Sequence, residues 1–254
     1  MNERINSTTP DFAMQLHLAR YSFAAKIAGG KKVLDIACGP GYGSKMLLDA
    51  GATQVIGMDI DNKTINQAQS DYPESGLTFK VGNAEAIDLE DASNDMVVSF
   101  ETIEHLNHPG KFLDEAMRIL KPGGKLILST PNRNITSPLP LFKPGNVFHE
   151  HEFKKSELIN LIKKSGFKDI QYLGQQSIQK KNLKKFLITQ SITQVIRTWG
   201  LRKLVNWAKS SSQMEGSHKK FIGDLHHTPD PNLVAVRLGE ELSFVRYMVV
   251  TATK

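Results

Sequence analysis

Residues 33–43 read Val-Leu-Asp-Ile-Ala-Cys-Gly-Pro-Gly-Tyr-Gly. An apolar, β-rich run (Lys32–Ile36) enters a loop with glycine at 39, 41 and 43, and a helical pattern over Ser44–Ala50 follows. Glycine tolerates positive φ and lets a ligand lie against bare backbone. In open α/β sheets such a loop, at the carboxyl end of the first strand, is where nucleotides bind. The next strand, Gln54–Asp59, ends in a carboxylate that can accept two hydrogen bonds from a ribose diol. Asp35 also sits at the end of a buried strand, where a carboxylate needs a partner.

Outward from this loop, strands and helices alternate. A helix over Asn62–Asp71 precedes a strand over Leu77–Val81, and Asp95–Phe100 is the fourth strand. The helix Gly110–Leu120 stops at Pro122-Gly123-Gly124 before a fifth strand, Lys125–Ser129. Ser156–Ser165 is helical, Lys168–Leu173 is the sixth strand and Tyr247–Ala252 the last. This alternation predicts an α/β fold: a Rossmann-like, doubly wound, mostly parallel seven-stranded sheet with a helical insertion before the last strand. The expected division is a leading helix and cofactor lid over 1–30, a nucleotide-binding core over 31–176, a basic helical insertion over 177–237 acting as an acceptor lid, and a final core strand over 238–254.

Composition narrows the class. Hydrophobic residues make up 40% and charged residues 23% of 254, and mean hydropathy is −0.30, as in ordinary globular domains. The single cysteine, Cys38, excludes internal disulfides and multi-cysteine zinc sites and reads as packing. No apolar run approaches the ~18 residues of a membrane span, and Met1–Thr9 lacks a signal-peptide apolar region. The expected location is the cytoplasm. Net charge is +6, and residues 171–220 hold ten basic groups against one acid, Glu215. That block suits an anionic partner (a small anionic acceptor, nucleic acid or an acidic membrane surface) or is a solvated helix face. Within it, Ile188, Ile192, Val195, Ile196 and Trp199 form one apolar helical stripe, read as packing onto the core, as a lid or as a membrane-surface helix.

The glycine spacing departs from the dinucleotide fingerprint Gly-x-Gly-x-x-Gly, which disfavours an NAD-dependent dehydrogenase. The pattern Asp35-x-x-Cys38-Gly39-x-Gly41-x-Gly43 instead resembles the first motif of class I S-adenosylmethionine-dependent methyltransferases. Gly82-Asn83-Ala84-Glu85, Phe100–Leu106 and Leu120–Lys125 match later motifs in order, and His17–Ala24 is similar to the leading helix of bacterial sugar-, glycan- or metabolite-modifying members. The resemblance implies S-adenosylmethionine as cofactor. It implies that Gly39 and Gly41 back the methionine and ribose, Asp35 orients the methionyl ammonium, Asp59 holds the ribose and Ile60 packs on adenine. Asn83 and Ala84 would meet the adenine amino edge, Arg20 and Tyr21 would close over the methionine end, and Ala37, Glu85 and Glu101 would complete the cofactor set.

Methyl transfer to an alcohol requires alignment and removal of a proton, by a histidine or with help from a metal. His105 follows the fourth strand, and His149 and His151 follow the fifth, in Phe148-His149-Glu150-His151-Glu152-Phe153. In one reading one of these three is the general base. In the other Glu101, Glu104, His105 and His149 or His151 bind Mn²⁺, Fe²⁺ or Co²⁺, an element that resembles small-RNA 2′-O-methyltransferases and, in its first half, ubiquinone-pathway O-methyltransferases. His226 and His227 are further acceptor-contact candidates. The expected function is O-methylation of a small polar acceptor such as a sugar or sugar-containing metabolite. RNA methylation is an alternative, with Trp199 and Trp207 in the basic block but no recognisable RNA-binding module, and a non-catalytic cofactor-binding scaffold is another.

Overall fold

The computed structural model describes residues 11–139, 142–177, 180–198 and 245–254. The elements are α1 (Asp11–Ala25), β1 (Lys32–Ile36), α2 (Tyr42–Asp49), β2 (Gln54–Asp59), α3 (Asn62–Asp71), β3 (Leu77–Val81), β4 (Asn94–Phe100), α4 (Pro109–Ile119), β5 (Leu120–Pro131), α5 (Arg133–Thr136), α6 (Lys155–Lys164), β6 (Lys168–Ser177), α7 (Lys180–Thr198) and β7 (Val245–Thr253). Seven strands form one sheet in the order β3-β2-β1-β4-β5-β7-β6. The pairs from β3 to β5 are parallel, and β7 inserts antiparallel between β5 and β6.

Alternation along the strands decides the two covering layers. Val33, Val55, Met96, Val98, Ile127 and Val249 face α1, α2 and α3, whereas Leu34, Val97, Leu126, Leu128, Met248 and Val250 face α4 and α6. Helix starts follow their local chemistry. Asp61 accepts from the Thr64 amide at the start of α3, and Pro109 occupies the first turn of α4.

Two boundaries differ from the sequence expectation by four residues or more. β6 continues to Ser177, because it pairs with β7 as far as Val245. β5 pairs from Leu120, through Asn94, and takes up its regular register at Lys125 after an irregularity at Gly123, whose φ is 77°. On the expected apolar stripe of α7, Ile188 and Ile192 are half-exposed, while Gln194 beside it is fully buried. Its amide pairs with the Leu139 N–H and with the Leu139 and Lys143 carbonyls, backbone groups of the loop after α5. Trp199, Trp207, His226 and His227 lie outside the described residues.

Strand order reverses direction between β1 and β4. In doubly wound sheets a crevice opens there at the carboxyl edge. The two residues that leave these strands, Ala37 (φ 57°) and Glu101 (φ 53°), adopt left-handed backbone although neither is glycine. Such strain is retained where the surroundings over-determine it, commonly at functional sites.

Candidate active site

Two cavities open at this edge and share Glu101. The larger, about 420 Å³, is lined by Ala37, Cys38, Gly39, Asp59, Ile60, Asn83, Ala84 and, on its far side, His17, Phe100, Thr102, His105 and Phe148. Asp59 Oδ2 accepts from the Gly39 amide (3.1 Å) and Oδ1 from the Asp61 amide (2.9 Å), so the carboxylate ties the glycine loop to the end of β2. Ile60 is 70% exposed, an apolar side chain lying open on the cavity wall. Asn83 holds its turn through Oδ1, which accepts from the Glu85 amide. Glu85 itself receives the His108 amide and turns away from the cavity.

The three glycines have different reasons. Gly39 has a φ of 53°, and a Cβ there would meet nothing within 4 Å, so its face toward the cavity is open. A Cβ on Gly41 would strike Phe79 at 2.6 Å, and one on Gly43 would enter the Tyr21 ring at 2.0 Å. Gly41 and Gly43 thus serve close packing of the loop against β3 and α1, and only Gly39 lines the cavity.

Asp35 and Tyr21 do not line the cavity; they lie beneath its floor. Asp35 is fully buried and accepts from the Tyr21 hydroxyl (3.0 and 3.2 Å) and from Ser44 Oγ (2.6 Å). Burial pushes its carboxyl up to about 7, despite those two donors. Tyr21 packs edge-on against Phe100 at 5.0 Å. From that position both can support the methionine end, Asp35 through water, without lining the cavity themselves. Arg20 is also buried: Nη1 pairs with Glu101 at 3.1 Å, and Nε donates to Gln175. His17, which sequence reasoning gave no role, reaches the cavity from α1. Its imidazole is lowered to about 3, chiefly by burial and then by Arg20, and it stands 2.5 Å from the Tyr42 hydroxyl. A neutral ring can accept that hydroxyl proton. The signal available in sequence was only its place one helical turn before Tyr21.

The smaller cavity, about 230 Å³, is lined by Glu101, Asn146, His149, Glu152, Gln190, Arg246 and Tyr247, among others. Backbone pairing places its loop. The Glu150 and His151 amides donate to the Glu104 carbonyl, and Arg133 N donates to Phe153 O. His149 Nδ1 lies 2.6 Å from Glu152 Oε1, and Asn146 Nδ2 lies 3.0 Å from His149 Nε2. A carboxylate only accepts, so Nδ1 carries the proton. Asn146 Oδ1 accepts from the Phe148 amide, which turns its NH₂ toward Nε2. Nε2 therefore holds a lone pair. Glu152 is fixed by His149 and Thr136, and these hydrogen bonds hold its carboxyl below the usual value against the opposing effect of burial.

Of the three catalytic candidates, the structure brings two together. The rings of His105 and His149 are 4.9 Å apart, whereas His151 turns onto Phe153 at 4.6 Å and lines neither cavity. Glu104, His105 and His149 each offer a ligand atom, all within 4.8 Å of one another. Glu104 is fully buried; Oε2 accepts from Thr130, and Oε1 has no hydrogen-bond partner among the described residues. Burial and the nearby Glu101 raise its carboxyl well above the ordinary range. His105 Nδ1 is held by the Phe148 carbonyl at 2.8 Å, the orientation common in metal-ligating imidazoles. These three residues fit a divalent cation. Glu101, the fourth expected ligand, is engaged by Arg20 and Ser129 instead.

Residues 34–128 match the family model described as a methyltransferase domain. An ubiquinone biosynthesis O-methyltransferase of Shewanella halifaxensis is 32% identical over 166 residues, 59% of this chain and 70% of that protein. The chain belongs to the S-adenosylmethionine-dependent methyltransferases. A relative from Mycolicibacterium smegmatis, named "Probable S-adenosylmethionine-dependent methyltransferase", is 39% identical over 158 residues, covering 62% of this chain and 60% of its own length. The chain thus spans about three fifths of the first curated relatives. The cofactor that goes with this methyltransferase family is S-adenosylmethionine. Among solved structures, an S-adenosylmethionine-dependent methyltransferase from Mesorhizobium loti aligns over 94% of this chain and 100% of its own, with a TM-score of 0.57 and 16% identity. A [4+2]-cyclase aligns over 99% of this chain and 85% of its own, with a TM-score of 0.59 and 15% identity. Both share the fold. The second illustrates that this methyltransferase fold leaves the reaction to be argued from the site.

Proposed function

We propose that this chain transfers a methyl group from S-adenosylmethionine to a hydroxyl of a small polar acceptor, such as a sugar-containing metabolite, with His149 as general base. The observation that carries the proposal is the Glu152–His149 pair on the smaller cavity, next to a larger cavity that shares Glu101. The larger cavity is assigned to the cofactor. Asp59, tied to the Gly39 and Asp61 amides at the end of β2, is assigned the ribose diol. Ile60 packs on adenine, Asn83 and Ala84 meet its edge, and Ala37 and Gly39 back the remainder. Arg20, Tyr21, Asp35 and Gly41 act from beneath as positioning residues.

The cofactor supplies an already activated methyl group on a sulfonium. The chain therefore has to align the acceptor and take its proton. The acceptor hydroxyl displaces the Asn146 NH₂ from His149 Nε2 and gives up its proton there, and Glu152 holds the tautomer and stabilises the imidazolium. Relatives named ubiquinone biosynthesis O-methyltransferases support oxygen as the acceptor atom.

A second reading has Glu104, His105 and His149 holding a divalent cation, which would lower the acceptor hydroxyl's pKa. The unpaired Glu104 Oε1 favours it. The RNA and scaffold alternatives rest on the basic block 171–220, about half of which lies outside the described residues.

Calorimetric titration with S-adenosylmethionine and with NAD⁺, before and after chelation, tests the cofactor assignment. Micromolar binding of the former alone is expected. Binding of neither would remove the proposal. Turnover lost on chelation with cofactor binding intact would transfer the chemistry to the metal reading.

A further inference from the structure

The smaller cavity contains charges of both signs, but they are not equally satisfied. Glu101 is paired with Arg20 and accepts from Ser129; Glu152 is held by His149 and Thr136. Arg246 opens on the same cavity from β7. Its Nε is buried without a hydrogen-bond partner, and no carboxylate among the described residues pairs with it. Its guanidinium is flanked by the Tyr247 ring, 5.4 Å from the centroid. A buried guanidinium N–H left unpaired costs free energy that a bound oxyanion would recover. A planar fork beside an aromatic wall is suited to carboxylate or phosphate.

We propose that the smaller cavity is an oxyanion-binding acceptor site in which Arg246 clasps a carboxylate or phosphate of the acceptor, leaving the acceptor's hydroxyl toward His149. This rests on the assignment of that cavity to the acceptor and names the acceptor class: a hydroxylated small molecule carrying an anionic group. The volume, about 230 Å³, corresponds to several water molecules at ~30 Å³ each, enough for one substituted ring or a short hydroxy acid. Gln190 brings α7 to the wall, so the start of the basic insertion contacts the acceptor directly.

The test uses the full chain saturated with S-adenosylhomocysteine, titrated with inorganic phosphate, with 3-hydroxybenzoate and with its neutral counterpart 3-hydroxybenzamide. The benzoate or phosphate should bind roughly tenfold or more tighter than the amide, and Arg246→Gln should remove that preference while Lys63→Gln, on exposed α3, keeps it. The winning probe identifies the anion, carboxylate or phosphate. Equal binding of benzoate, phosphate and amide to the wild type, or an unchanged preference in Arg246→Gln, overturns the proposal. If that variant does not fold, the Arg246 Nε–H resonance of the wild type is followed during the titration. A shift saturating with the binding curve supports the site, and a stationary resonance overturns it. Failure of S-adenosylhomocysteine to bind would instead break the cofactor assignment, and the anion titration would then be run on the free protein with the same two outcomes.

Discussion

The two cavities at the carboxyl edge are built from different materials. The larger is walled mainly by turns that directly follow β1, β2, β3 and β4, and it offers backbone, the Asp59 carboxylate, apolar surface and, on the side it shares with the smaller, Glu101. The smaller draws on Glu101, the 145–152 loop, α7 and β7, and it offers ionisable side chains, several of them already paired with one another. A nucleoside is a fixed object that backbone can fit. An acceptor is met by side chains whose protonation and pairing set what is recognised, so that wall can change while the first stays as it is.

The largest effect should come from the smaller cavity. His149→Ala is expected to lower single-turnover methyl transfer by about 10²–10⁴-fold with cofactor affinity nearly constant; a loss of cofactor binding with unchanged chemistry would blur the division between cavities. Next, Asp59→Ala should weaken calorimetric cofactor affinity by at least about tenfold, from ribose hydrogen bonds at ~1–3 kcal/mol each and a loosened Gly39 amide. A change below threefold would separate Asp59 from the larger site. Gly43→Ala should cost about 1–3 kcal/mol in urea unfolding, because its Cβ would enter the Tyr21 ring and displace that hydroxyl from Asp35.

The smallest effect is pH-dependent. The Asp35 carboxyl, raised by burial from 3.8 to about 7, binds a proton in the native state where the unfolded chain does not. Stability of the free protein therefore falls as pH rises through that window, by about 1 kcal/mol between pH 6 and 8. Subtracting the profile of Asp35→Asn, measured by urea unfolding, isolates this contribution; parallel profiles would show that Asp35 is ionised throughout.

Legibility in the sequence follows the same division. The turn residues of the larger cavity stand within a few positions of strand ends, and Ala37, Gly39, Asp59, Ile60, Asn83 and Ala84 were all readable from glycine placement and motif order. Arg20, Tyr21 and Asp35 were readable as important but not as buried, because burial depends on how α1 lies across α2. Glu152 adjoins two conspicuous histidines, yet its part in orienting His149 appears only once the loop is tied to the Glu104 carbonyl. Arg246 and Tyr247 carried no sequence signal.

The sequence by itself determined the seven strands, the carboxyl ends of β1 to β4 and the glycine loop at that edge, because side-chain periodicity, glycine turns and terminal carboxylates are local properties of the chain. Only the tertiary structure decided which histidines meet and which of four acidic and imidazole groups could share a cation. It also left Arg246 Nε without a hydrogen-bond partner among the described residues, on the cavity that His149 lines. The physical reason is separation along the chain: β7 returns antiparallel between β5 and β6, and that insertion brings residues about a hundred positions apart onto one cavity wall.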